Sequence, residues 1–322
     1  MPRVSAFPPS KWNWEEDWNG GRLEALLRLN VRVPDLTMGD LNAQFAANAI
    51  AENRLQQLAA KYGAAKITAA MSELLDYCER RMRAGIAAAP DGVYHGHAAI
   101  DDDGTSEEPV HIHCTITIKG DELEVDFDGT DAQVATNINC PFASCLASAL
   151  SCVKSVISAP DIPFNEGVKR PVTVKAPFGS ILNPRPPAPV RARLLPAYRA
   201  YNAVMDALAK AVPAQVIAPG YDTTTSFCLA HLGEKGYSVY LEIFGGGYGA
   251  GAGNDGVDAV DSPLSNCSNT PVESLDADYD FFRVTGYEMI ADSFGDGEHR
   301  GGAGCRRRYE ILKDDVKLQT YA

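Results

Sequence analysis

The sequence predicts a mixed α+β fold, an N-terminal helical hairpin followed by β-rich layers with interspersed helices. Three observations predict it. Residues 40–90 repeat apolar side chains at three- and four-residue spacing, residues 110–130 alternate apolar with polar, and strand-like runs punctuated by glycine dominate after Gly220. No fixed-period repeat or low-complexity linker interrupts the chain. The expected division is therefore soft: an extended N-terminal arm over 1–38, the helical hairpin plus a first α/β part over 39–215, and a glycine-rich β part over 216–322.

The arm, "MPRVSAFPPSKWNWEEDWNGG", mixes Pro, Trp and charge without periodicity, and reads as chain wrapped over a surface rather than as an element. Trp12, Trp14 and Trp18 would serve there as interface anchors or pack on the chain's own core. From Asp40, "DLNAQFAANAIAENRLQQLAAKYG" has helical spacing and stops at Gly63, and "KITAAMSELLDYCERRMRAGIAAAP" follows it to Pro90. Two long helices with so short a connection predict an αα-hairpin. "VHIHCTITIKGDELEVDFDGT" alternates on both sides of Lys119-Gly120-Asp121-Glu122, which predicts a β-hairpin. His111 and His113 then share one strand face; such a pair can ligate a metal, although on an edge strand it is more often plain surface.

"FASCLASALSCVKSVIS" predicts a buried helix, and the prolines and glycines of "NEGVKRPVTVKAPFGSILNPRPPAPV" break that segment into short strands and turns. "AYRAYNAVMDALAKAVP" is a further amphipathic helix closed by Pro213, and "TTSFCLAHLG", "YSVYLEIFGGG" and "FFRVTGYEMI" are strand candidates.

In 322 residues, 45% hydrophobic and 22% charged residues form a globular composition able to bury a core. A net charge of −13 argues against nucleic-acid or anionic-membrane surfaces, which need clustered cations. The basic clusters "ERRMR" at Glu79–Arg83 and "CRRRYE" at Cys305–Glu310 include acidic residues and read as solvated faces or partner contacts. Eight scattered cysteines without a CxxC pair, and no charged start leading into an apolar run, point to a cytoplasmic protein with reduced thiols. Cys140, Cys145 and Cys152 lie in an alanine-rich segment and read as small core hydrophobes. No apolar run reaches the roughly 20 residues of a membrane span.

The stretch "EIFGGGYGAGAGNDG", Glu242–Gly256, contains one GxGxxG register, yet "VDAVDSPLSN" stands where the phosphate-binding helix would begin, and no Gly-Lys-Ser/Thr occurs. A nucleotide cradle is excluded on that context. Two readings stay open: glycines whose backbone approaches a ligand closely, or a loop packed on neighbouring backbone. The acidic runs "DDDGTSEE" and "NDGVDAVD" lack the ligand rhythm of a calcium loop. No GxSxG or HExxH motif names a nucleophile or metal.

Taken in order, "GDLNAQFAANAIAENRL", "DYCERRMRAGI", "DGVYHG", "DDDG", "VDFDGTDAQVATNINCP", "NEGVKRPVTVKAPFGSILNPRPPAPV", "GGGYGAGAGNDGVD", "NTPVES" and "DSFGDGEHRGGAG" resemble the hydantoinase B family. That family includes N-methylhydantoinase B subunits, the second half of 5-oxoprolinases, and acetone and acetophenone carboxylase subunits. The blocks run from about Gly39 to Gly304 in the family's order. The resemblance implies one subunit of an ATP-dependent complex of the carboxylase or amidohydrolase type, acting on an activated ketone enol, lactam or hydantoin. It implies ATP bound by a hydantoinase A-like partner, and a further chain supplying an N-terminal B-type region with His- and Asp-containing stretches, where a divalent metal is possible. The alternative is a non-catalytic relative that stabilises or regulates a full-length B-type protein. The residues it suggests for catalysis are Asp255, as base or water-orienting carboxylate, Glu273 and Arg300. For substrate it suggests the backbone of Gly245, Gly246, Gly247 and Gly249, together with Asn137, Asn139 and Arg191. Asn137 and Asn139 are also candidate caps of the helix near Pro141, and Arg300 is a candidate partner of Glu298 or of a backbone carbonyl in a structural turn.

Overall fold

A computed structural model describes residues 10–31, 33–223, 225–234, 236–261, 263–265 and 270–321, so Cys267 and Asn269 lie outside the described residues. The chain forms two compact units, residues 1–70 with 230–239, and residues 71–229 with 240–322.

The first unit corrects the expectation of an extended arm without elements. Helix α1 spans Trp14–Asp17, with the Asn13 side chain accepting the N–H groups of Glu15 and Glu16. Helix α2 (Arg22–Asn30) precedes α3 (Pro34–Tyr62), which starts on a proline at its first turn, where no N–H is needed, and stops at Gly63 with φ 88°. The tryptophans pack on this same unit. Trp18 is buried and donates its indole N–H to Asn42 Oδ1 (3.1 Å), and its ring stands edge-on to Phe45 at 4.8 Å. Trp12 and Trp14 flank the cluster and remain about two-fifths exposed.

Helix α4 (Ala64–Ala87) follows Gly63 and carries Cys78, Met82 and Ile86 into the core of the second unit. Strand β1 (Gly92–Ile100) pairs antiparallel with β2 (Val110–Lys119), which pairs antiparallel with β3 (Glu122–Asp126) across the expected turn at Gly120, where φ is 63°. The buried helix α5 (Phe142–Ile157), one-turn helix α6 (Glu166–Lys169) and β4 (Val172–Lys175) come next; β4 runs parallel to β3 and completes a sheet of order β1-β2-β3-β4. Helix α7 (Leu194–Ala211) packs on β1 and β2, with α5 against it. Contact is close enough that a Cβ on Gly96 would strike the Ala203 carbonyl, which accounts for glycine in the middle of an edge strand.

Strict alternation along β2 sends Ile112, Cys114, Ile116 and Ile118 into this core and His111, His113, Thr115 and Thr117 to the other face. The cysteines behave as the hydrophobes the sequence suggests: burial pushes the Cys114 and Cys140 thiols up to about 12, and Cys145 and Cys152 rise for the same reason. The native protein is therefore expected to leave these four unlabelled by a maleimide at pH 8 and to label them only on unfolding. Rapid native labelling of Cys145 or Cys152 would contradict this burial.

Downstream, β5 (Thr225–Gly233), β6 (Gly236–Phe244) and β9 (Lys317–Tyr321) form a sheet of order β6-β5-β9, while β7 (Phe282–Met289) pairs with β8 (Cys305–Ile311) after the short helix α8 (Val272–Asp278). A second, aromatic core forms from Leu229, Tyr240, Leu275, Phe281, Phe282 and Val284. The basic run at Cys305 is only half a solvated face. Arg306 and Arg308 point outward to Glu288 (3.6 and 2.5 Å), but strand alternation turns Arg307 inward, where it pairs with buried Glu242.

Candidate functional site

After Phe244 the chain enters the glycine-rich stretch, and among the described residues no helix follows until Val272. The GxGxxG register is thus no phosphate cradle. Three stretches are instead knitted together by main-chain hydrogen bonds. Tyr248 N–H donates to Val257 O (3.0 Å), Gly302 N–H to Tyr248 O (2.8 Å), Tyr221 N–H to Gly247 O (2.9 Å) and Gly256 N–H to Arg300 O (2.7 Å). The glycines permit this density: a Cβ on Gly247 would meet the backbone of Gly302, one on Gly249 the carbonyl of Ala218, and one on Gly256 the carbonyl of Tyr248.

These stretches wall a cavity of about 360 Å³, lined among others by Tyr221, Gly246, Gly247, Gly249, Asp296 and His299. The glycines form a loop packed on neighbouring backbone, and that same packing builds the wall of the cavity. Gly245 adjoins the lining and packs against Val260 and Asp261. Asp255, largely exposed, accepts the Arg300 N–H at 3.0 Å and stands 3.6 Å from His299 Nδ1. That separation exceeds a hydrogen bond but is an ion-pair distance when the ring is protonated.

Arg300 pairs with Asp258 rather than with Glu298, and its Nη1 also donates to a backbone carbonyl, that of Gly301, at 2.9 Å. Its Nη1 and Nη2 donate to the two Asp258 oxygens at 2.7 and 3.1 Å, Ala303 N–H adds a third bond to Oδ1 at 2.8 Å, and the guanidinium lies 4.9 Å over the Phe294 ring. The Arg300 bonds and the Ala303 N–H hold the Asp258 carboxyl at about 2, against an ordinary 3.8. A depressed carboxylate stabilises the fold above its unfolded pKa and loses that contribution as pH falls through the folded value. This clamp is accordingly expected to hold at neutral pH and to weaken from about pH 4 down to about pH 2. An NMR titration of the Asp258 carboxyl carbon should show a midpoint near the lower end, and a midpoint near 4 would mean the clamp does not form in solution.

A larger cavity of about 690 Å³ shares Ala218, Pro219 and Ala250 with the first. Its polar wall includes Arg199, Asn202, Asp206 and Asp222. Asp222 is buried in a left-handed conformation (φ 38°); its carboxylate accepts Gly220 N–H at 2.6 Å, and Arg199 Nη2 donates to its carbonyl at 2.7 Å. Burial raises its carboxyl above the usual range.

The remaining expected residues lie elsewhere. Asn139 is fully buried and accepts Val134 N–H while donating to the carbonyls of Val134, Thr136 and Pro189, all at 2.9–3.0 Å, so its amide is used in holding the 134–140 loop. Neither it nor Asn137 caps α5, whose N-terminal boundary is Pro141 without a side-chain cap. Asn137 is half-buried, Arg191 is exposed, and Glu273 is exposed on the first turn of α8; none of these four lines either cavity. His299, Asp296, Tyr221, Arg199, Asn202, Asp206 and Asp222 are among the lining residues that sequence reasoning missed. His299 is the one within its reach, since it adjoins Arg300 inside the "DSFGDGEHRGGAG" block.

The family model for hydantoinase B/oxoprolinase matches residues 6–322. The chain is 34% identical over 299 residues to a putative D-/L-hydantoinase B subunit of Pseudomonas sp. (strain NS671), covering 90% of this chain and 50% of that protein. It is 30% identical over 315 residues to the caprolactamase beta subunit of Pseudomonas jessenii, covering 95% and 54%. The crystal structure of the ATP-dependent caprolactamase from Pseudomonas jessenii superposes with a TM-score of 0.81 at 30% identity, covering 92% of this chain and 52% of that one. A nucleotide-free acetone carboxylase shares the fold, with a TM-score of 0.76 at 17% identity over 92% and 42%. The chain spans about half the length of the curated relatives it matches. Among the described residues no helix is long and apolar enough to cross a membrane. By its family model, its sequence relatives and its mixed α+β architecture, the chain belongs to the hydantoinase B/oxoprolinase family.

Proposed function

We propose that this chain is the B-type part of an ATP-dependent complex that opens a cyclic amide, a lactam or hydantoin, and that the glycine-walled cavity beside His299 holds the reacting centre. The observation that carries this reading is an imidazole on the wall of a backbone-lined cavity, with the Asp255 carboxylate 3.6 Å from its Nδ1. Imidazole is the side chain best suited to moving a proton near neutral pH. Two relatives, at 34% and 30% identity, carry hydantoinase and caprolactamase names, whereas the acetone carboxylase likeness is one of fold, so ring opening is favoured over carboxylation of a ketone-derived enol phosphate.

In this reading ATP is bound and spent by a hydantoinase A-like partner, which phosphorylates the amide oxygen and leaves an imidate-like carbon open to attack. A divalent metal, where the complex uses one, belongs to a partner chain that supplies the further B-type region. The present chain then holds the activated ring against Gly246, Gly247 and Gly249. His299 takes the proton of the attacking water and passes it to the ring nitrogen as the C–N bond of the tetrahedral carbon breaks, and the acyl phosphate so formed is hydrolysed by a second water with release of phosphate; Asp255 stabilises the imidazolium formed in passing, and the Arg300–Asp258 clamp fixes the 293–304 stretch that carries His299.

The experiment is to purify the assembly of this chain with its A-type partner and the chain completing the B-type region, and to measure ATP-dependent opening of caprolactam, 5-oxoproline and hydantoin. Turnover that requires this chain is the expected result. Full turnover by an assembly lacking it would overturn the proposal in favour of a stabilising or regulatory role.

A further inference from the structure

Four of the six histidines in the chain lie on the β1–β2 pair. Histidine has no special claim to a strand surface, where β-branched and aromatic side chains are favoured. His97 is the direct cross-strand partner of His113, and His111 lies two residues before His113 on the same face. Their rings gather: centroid separations are 4.9 Å for His97 to His113, 5.2 Å for His97 to His111 and 6.3 Å for His111 to His113. His97 Nε2 and His111 Nδ1 stand 3.1 Å apart.

We propose that His97, His111 and His113 form a binding site for one divalent transition-metal ion of zinc-like softness. Two imidazole nitrogens on one tetrahedral Zn²⁺ at about 2.0–2.1 Å lie roughly 3.3–3.4 Å apart, close to the separation already present between the first two rings. As they stand, no three such side chains among the described residues converge on one point. His113 must turn about its side-chain torsions, and the room exists: its ring is exposed, and the neighbouring residue over it, Gly129, has no side chain. The donor ring of the His97–His111 pair moves its N–H to the other nitrogen, freeing a lone pair for the metal.

The backbone needs no movement, because it is pinned beneath all three rings. His97 N–H donates to Asp206 (3.0 Å), His111 N–H to Asp131 (2.7 Å), and His113 N–H to Thr130 Oγ1 (3.1 Å), whose hydroxyl donates back to the His113 carbonyl (3.1 Å). Preset backbone positions of this kind lower the ordering cost of assembling ligands. Three histidines leave a fourth position for water or an external ligand, and His97 also lines the larger of the two cavities. The site shares no residue with the proposed reacting centre and rests on no part of that reading.

The test is calorimetric titration of the full chain with ZnCl₂, paired with Co²⁺ absorption spectra. One equivalent of Zn²⁺ should bind, Co²⁺ should give tetrahedral d–d bands, and H97A, H111A and H113A should each weaken binding by more than about 100-fold, beyond what the loss of an outer-shell partner costs. The neighbouring H95A is the control and should change binding little, since His95 bonds Thr115 instead. Should a variant misfold, Zn²⁺ protection of these three rings from diethyl pyrocarbonate in the unaltered protein reads the same contact. No saturable binding, binding that survives all three substitutions, or rings modified equally with and without Zn²⁺ would overturn the proposal.

Discussion

Replacing Glu242 by Gln, or Arg307 by Met, is expected to lower the unfolding free energy by about 3–5 kcal/mol, the scale for stranding one member of a buried ion pair. Both side chains are almost wholly buried, at 2% and 1% exposure. Besides Arg307, Glu242 accepts the Tyr240 hydroxyl, the Tyr309 hydroxyl at 2.8 Å and Thr270 N–H at 3.0 Å, while Arg307 Nη2 donates to Thr270 O at 2.7 Å. Burial and the adjacent carboxylate push both tyrosine hydroxyls up, so they remain donors throughout the working pH range. Tyr309 stacks on Phe227 at 4.2 Å, which ties the network to the aromatic core. Denaturant unfolding of both single variants and the double variant gives the coupling directly. The double variant should cost clearly less than the sum of the singles, and single variants within about 1 kcal/mol of the parent would show that the pair does not form.

Gly249→Ala is expected to be the most damaging change in the glycine stretch, because the new methyl would occupy the position of the Ala218 carbonyl. The obstacle is backbone, so no rotamer change relieves it, and the cost should reach or exceed the upper end of the about 1–3 kcal/mol typical of overpacking. Since Gly249 and Ala218 both line the smaller cavity, the distortion should also abolish turnover in the assembled complex. Gly253→Ala is the matched comparison. A Cβ there meets nothing, so that variant should be within about 0.5 kcal/mol of the parent, as for ordinary surface changes. Equal tolerance at both positions would mean that the close packing of these stretches is not present in solution.

Local patterns make much of this fold legible. The β2–β3 hairpin follows from period-two alternation around Gly120, and α5 and α7 follow from helical apolar spacing, because these signals survive in any tertiary context. Where the pattern is weak, tertiary packing decides. α1 and α2 are short and charged and read as arm; Asn13 capping and the aromatic cluster on Phe45 organise them. β1 escapes a reading by pattern because its glycines and histidines break the strand signature, and Gly96 is explained only by the approach of α7. Arg307 reads with its solvated neighbours because a cluster of like charges hides which member alternates inward.

The site shows the same limit. Glycines and Asp255 are visible as composition and motif, but a cavity is closed by segments distant in sequence, here 218–222, 245–259 and 293–304. Asn139 illustrates the converse: its position within a family-like block suggests ligand binding, whereas its four hydrogen bonds hold the surrounding loop.

The most direct test of the proposed reacting centre is turnover of the assembled complex with His299→Ala, alongside Asp255→Asn and stability measurements on both. A general base is worth about 10²–10⁴-fold, so His299→Ala should lower kcat by that range with little change in unfolding, and Asp255→Asn should act through the same step with a smaller loss. An assembly carrying His299→Ala that folds, binds its partners and turns over at the parental rate would contradict the account.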